Sequence, residues 1–170
     1  VIPMIPMIPM IPMIPMSGCA SAHLSWSELA CKDEARTPYP LDYRTDPSRL
    51  PLLCAAFEAV REGPAEGQEL PILSAYRTPA FNARPEVAGA PHSQHIQGRA
   101  LDVRAPSGMA VRTFFERIVA LATARPGLGI RFVQGYAPRV ANPKLGTNAR
   151  RGWVHFDVRP TRELVVKWEV

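Results

Sequence analysis

The chain has 170 residues, of which 46% are hydrophobic and 21% charged, an ordinary globular composition sufficient for one domain with one core. A formal net charge of +5 favours anionic partners, but no dense Lys/Arg run interleaved with aromatics appears, which argues against nucleic acid. The three cysteines, Cys19, Cys31 and Cys54, include no Cys-x-x-Cys pair, which argues against a cysteine-based zinc ribbon.

Residues 2–16 are five copies of Ile-Pro-Met. Proline at every third position forbids a helix, so this apolar tract is not a transmembrane span. Polyproline II is its natural conformer, with a reach of roughly 45 Å. Residues 1–18 therefore read as a low-complexity segment: a tag, a docking peptide for an assembly partner, or a signal remnant ahead of Cys19. Residues 19–170 read as the folded domain.

Ser25-Trp26-Ser27-Glu28 fits a capping box, predicting a short helix from Trp26 to Cys31. Residues 32–47 read as loop. Leu50, Leu53, Cys54, Phe57 and Val60 have helical spacing, predicting a helix over 48–62 that stops at Gly63-Pro64. Cys31 and Cys54 on these two helices are either one disulfide or two buried thiols. Leu70 to Tyr76 reads as a strand. Residues 77–98, with three prolines and two glycines, read as a long structured loop of the kind that usually carries function.

Residues 99–104 alternate as a strand, with Ala100 and Asp102 on one face and Leu101 and Val103 on the other. Ser107 is placed to cap a helix running to Ala124, its buried stripe Val111, Phe114, Phe115, Ile118 and Leu121. Residues 129–133, 153–158 and 164–168 read as three further strands, and 134–151 as a second long loop. Helices alternating irregularly with short strands indicate an α+β fold with a small, mainly antiparallel sheet and flanking helices.

Two of the four histidines fall in segments that also carry carboxylates: His95 before Asp102, and His155 beside Asp157. On strand 153–158 the period of two puts Trp153, His155 and Asp157 on one face and Val154, Phe156 and Val158 on the core face. Two histidines and one carboxylate are a common protein shell for catalytic zinc, with a fourth position left open. Read by themselves, the residues leave a hydrogen-bonded His-Asp couple as the alternative. Asp102 is an unusual strand residue and needs a cation or an arginine if buried.

The pattern Ser93-x-His95-x-x-Gly98-x-Ala100-x-Asp102, followed by Val154-His155-Phe156-Asp157-Val158, resembles the zinc D-alanyl-D-alanine carboxypeptidase-like peptidases. That group includes vancomycin-resistance dipeptidases and phage endopeptidases, and it shares its fold with the hedgehog signalling domain. The segments His23-Leu24-Ser25-Trp26-Ser27-Glu28 and Ser74-Ala75-Tyr76-Arg77-Thr78-Pro79-Ala80-Phe81-Asn82 resemble two further motifs of its short branch. The resemblance spans about residues 23–168.

It implies one zinc ion held by His95, Asp102 and His155, with Arg77 binding a substrate carboxylate or an oxyanion and Ser93 orienting substrate at the cleft edge. For Arg77 a structural salt bridge is the alternative, and for Ser93 a loop cap. Several relatives carry an acidic base three residues before the last histidine; here that position is Gly152. Asp157 is then the candidate base, or else a residue that orients His155. His92 is either an auxiliary proton shuttle or a loop residue. The implied substrates are peptidoglycan stem peptides or cross-links containing a D-amino acid. The implied setting is the bacterial envelope or a virion, including a phage tail. The fold also permits a non-catalytic zinc-containing module that binds cell wall or protein.

Overall fold

A computed structural model describes residues 20–138 and 151–170. The Ile-Pro-Met tract, Cys19 and most of the 134–151 segment lie outside the described residues. Helices α1 (Trp26–Leu29), α2 (Leu41–Thr45) and α3 (Leu50–Glu62) precede the sheet. Strand β1 (Ile72–Ser74), helix α4 (Pro79–Asn82), strand β2 (Ala100–Val103), helix α5 (Val111–Ala124) and strands β3 (Phe132–Tyr136), β4 (Trp153–Asp157) and β5 (Val165–Glu169) follow.

The sheet order is β1-β2-β4-β3-β5. Three of its pairings are antiparallel, and β3–β5 is parallel. The fold is therefore α+β with a mixed, mainly antiparallel sheet and flanking helices, as expected from the sequence. No helix among the described residues is long and apolar enough to cross a membrane.

The two faces of the sheet divide the labour. Leu101, Val103, Val133, Val154 and Phe156 are fully buried and pack with Leu53, Phe57 and Val60 of α3 and Phe114 and Ile118 of α5. That apolar layer supplies the main stabilising term. The opposite face carries a row set by the register: Ser74 pairs with Asp102, Asp102 with His155, His155 with Gln134, and Gln134 with Lys167. Because side chains alternate along every strand, one continuous core face leaves one continuous polar face.

The capping box at Ser25 forms as read: its hydroxyl accepts from Glu28 N, and the Glu28 carboxylate accepts from Ser25 N at 2.8 Å. The helix ends at Leu29, two residues short of the expected Cys31, and Cys31 N instead donates to Thr37 O. Helix α2 lies in the stretch read as loop. It is only five residues long, has Pro40 at its N-cap, and leaves Leu41 exposed, so no apolar stripe announced it.

Helix α5 starts at Val111 with Ala110 as N-cap, later than the Ser107 cap expected, because residues 106–109 close a turn through Met109 N to Pro106 O. Strand β3 sits three residues beyond the expected 129–133, since Pro126–Leu128 forms a 3₁₀ turn before it. Cys31 and Cys54 are buried free thiols, which resolves that alternative against a disulfide.

Candidate metal centre

Strands β2 and β4 place the site. Asp102 and His155 are register partners on the polar face. His95 arrives from the loop before β2, which doubles back through Gly98 N to His95 O and Arg99 N to Gln94 O. Gly98 makes that return possible. Its φ is +65°, and a Cβ there would lie 2.6 Å from Tyr39 Oη, so both backbone and space exclude a side chain. The Tyr39 hydroxyl in turn donates to Gly98 O at 2.6 Å and fixes the loop from below.

His95, Asp102 and His155 each offer a ligand atom within 4.8 Å of the others. The outer hydrogen bonds determine which atoms these are. His95 Nδ1 lies 2.6 Å from Ala75 O, and a carbonyl only accepts, so Nδ1 carries the proton and Nε2 presents its lone pair. Nε2 is 3.2 Å from Asp102 Oδ2. His155 Nδ1 lies 2.8 Å from Asp102 Oδ1, while its Nε2 lies 3.1 Å from Asp157 Oδ2. A histidine whose far nitrogen is held by a carbonyl or carboxylate is the usual arrangement of a metal ligand.

The electrostatics agree with that use. Burial pushes the His95 pKa down, outweighing Asp102, so the ring is held neutral. Burial alone would raise Asp102, but the two histidines hold its carboxyl well below the usual range. Burial likewise acts to lower His155, yet its hydrogen bonds to Asp102 and Asp157 outweigh that and raise it to about 9. A divalent cation bound here would take the place of that proton with a stronger local charge. The donor set of two imidazoles and a carboxylate suits zinc.

Four surrounding residues hold the three candidate ligands and their partners. Arg77 donates through Nη2 to Asp102 Oδ2 and through Nε to Ser74 Oγ, both at 2.8 Å. It lines the cleft, and it makes the salt bridge that was the alternative to a substrate-binding role. Asp157 is fully buried behind His155, on the Nε2 side. Arg159 grips it with Nε to Oδ1 at 2.8 Å and Nη2 to Oδ2 at 2.6 Å. Burial opposes ionisation of Asp157, but Arg159 and His155 hold its pKa below the usual range. Ser93 lines the same cleft, and its hydroxyl accepts from His95 N at 3.3 Å.

The group opens into a cleft of about 550 Å³ on the polar face. Gly152, in the position where relatives carry an acid, has φ +67°, and a Cβ there would sit 2.4 Å from Tyr136 O. The backbone therefore has no room for an acidic side chain.

Sequence reasoning missed Arg159, Gln134, Tyr136 and Glu169, all of which line the cleft. Arg159 was findable, since it stands two residues after a buried aspartate. The others come from strands whose facing is fixed by distant pairing.

Comparison with curated proteins and with solved structures gives no match. The family model described as Peptidase M15 matches residues 22–157, a span that contains all three candidate ligands, Arg77 and Asp157. The matched span and the His-Asp-His group at the floor of an open cleft together place this chain in the peptidase M15 family of zinc D-Ala-D-Ala carboxypeptidase-like metallopeptidases.

Proposed function

We propose that this metallopeptidase hydrolyses a peptide bond involving a D-amino acid in the stem or cross-link of peptidoglycan, as a carboxypeptidase or an endopeptidase. The observation that carries the reading is the convergence of His95, Asp102 and His155 at the base of an open cleft. The proposed setting is the bacterial envelope or a wall-piercing assembly such as a phage tail, where a net charge of +5 suits an anionic polymer.

His95 Nε2, the Asp102 carboxylate and His155 Nδ1 would hold one zinc ion. Zinc, when bound, supplies Lewis acidity that polarises a carbonyl and lets water ionise near neutral pH. The protein's own residues do the rest. Ala75 O and Asp157 fix the two imidazole rings in the ligating orientation. Arg77, its guanidinium immobilised by Ser74 and Asp102, presents a fixed positive charge to a substrate carboxylate or a developing oxyanion. Ser93 lies at the cleft edge, where it would orient substrate.

Asp157 was the sequence candidate for the base, with orientation of His155 as its alternative. Its buried, doubly clamped carboxylate favours the second role. Among the described residues that line the cleft, His92 is then the side chain proposed for proton transfer. Mass spectrometry of muropeptides incubated with zinc-loaded and chelator-treated protein tests the reading. Loss of a terminal D-Ala mass identifies a carboxypeptidase, and a cut within the stem or cross-link identifies an endopeptidase. The absence of any chelator-sensitive product would favour the non-catalytic module.

A further inference from the structure

The carboxylates of the cleft are not equivalent. Asp102 is paired with Arg77, and Asp157 with Arg159. Glu169, near the end of β5, also lines the cleft. Its Oε1 accepts from the neutral amide of Gln134 at 2.9 Å, and it forms no ion pair among the described residues. The neighbouring cation on the same strand face, Lys167, is turned toward the Phe132 ring, 5.7 Å from its centroid.

Beside Glu169 stands an aromatic pair. Register puts Trp153 opposite Tyr136 and Tyr136 opposite Glu169. The two rings stack with centroids 4.3 Å apart and 15° between planes. A carboxylate oriented by an amide, next to two aromatic side chains in a partly buried cleft, offers both a charge partner and ring faces to an ammonium ion. Among the described residues, the other two carboxylates of the cleft are already paired with arginines, so Glu169 is the one left to meet a cation.

We infer that Glu169, with Gln134, Tyr136 and Trp153, forms a specificity subsite for a primary ammonium group on the peptide substrate, of the kind a diamino-acid side chain carries. The inference rests on the peptidase reading above for its substrate class. Glu169 lies two strands from β4 and two residues along from Lys167, the residue in register with His155 through Gln134, which is roughly 12 Å at the usual strand spacing and rise. That is about three to four residues of extended peptide, or fewer when a long side chain makes up the distance. The ammonium is therefore borne by a residue within two positions of the cut bond.

The test uses peptides that differ only in carrying lysine or norleucine at each position within two residues of that bond. At one position the lysine peptide should have a kcat/KM about tenfold above its norleucine twin, as expected for a charge-assisted hydrogen bond. Glu169→Gln should bring that ratio close to one, and Trp153→Ala should reduce it. A ratio near one in the unaltered protein, or one that Glu169→Gln leaves intact, overturns the subsite. If no peptide is hydrolysed, the peptidase reading fails separately. The same pairs measured by titration calorimetry then decide the subsite: tighter binding of the lysine peptide, lost in Glu169→Gln, supports it, and equal or absent binding of both overturns it.

Discussion

Asp102 and His155 face each other across the β2–β4 ladder, with His155 Nδ1 2.8 Å from Asp102 Oδ1. The same carboxylate takes Arg77 Nη2 at 2.8 Å and lies 3.2 Å from His95 Nε2. Asp102 is thus the hub of the group, and its loss would remove a candidate ligand and leave Arg77 without its carboxylate partner. Asp102→Ala should lower zinc affinity by more than the roughly 10–100-fold that loss of an outer partner costs. Competition against a chromophoric chelator measures it. Unchanged affinity would mean that zinc binds elsewhere.

In the proposed site, Asp157 and Arg159 would act on the metal through His155. Asp157→Asn keeps the shape but weakens the hold on His155 Nε2, and Arg159→Ala releases the clamp on Asp157. Each should cost roughly 10–100-fold in zinc affinity. If Asp157 served only as a base, Asp157→Asn would abolish turnover while zinc affinity stayed at the level of the unaltered protein.

Gly152→Glu restores the acid that several relatives carry but should not restore a working base. The position has φ +67°, and its Cβ would meet Tyr136 O at 2.4 Å. The backbone conformation alone costs about 1–3 kcal/mol for a non-glycine residue, and the contact adds to it. A lower denaturant midpoint with no gain in hydrolysis is expected; increased hydrolysis in a stable protein would contradict the geometry.

Cys54 gives the fold a measurable pH dependence away from the site. Burial raises its thiol pKa from 9.0 to about 11. The neutral thiol is therefore favoured in the folded state, and its contribution is fully present below pH 9.0 and lost as pH rises toward about 11. Two pH units correspond to roughly 2–3 kcal/mol. Cys54→Ala should flatten the fall in stability across that window relative to the unaltered protein, read from denaturation midpoints at several pH values. Parallel curves would show that the thiol does not titrate as its burial requires.

The parts of this molecule legible in its sequence are those set by local rules. The Ser25–Glu28 capping box, the apolar stripe of α3 and the alternation that puts His155 and Asp157 on one face of β4 each need only a few neighbouring residues. The spacing from His95 to Asp102 allowed the two side chains to converge, and the family resemblance nominated them as ligands. What was hidden depends on distant pairing. Gln134 and Gly135 read as loop because they are polar and small, yet they are held as strand by β4 on one side and β5 on the other. The parallel placement of β5 brings Glu169 into the cleft, and no local pattern announces it. Asp157 was visible as a carboxylate near His155, but its contact with Nε2 and its clamp by Arg159 were not.

The most direct test of the metal centre follows zinc and hydrolysis together. Chelator-treated protein is titrated with zinc while cleavage of a D-amino-acid-containing stem peptide is recorded, in parallel with Asp102→Ala. The account predicts that hydrolysis returns in step with zinc and levels off at about one equivalent, the single ion that three ligands and an open position describe, with no return in Asp102→Ala. Hydrolysis that persists without metal, or an Asp102→Ala protein that recovers as the unaltered one does, would contradict it.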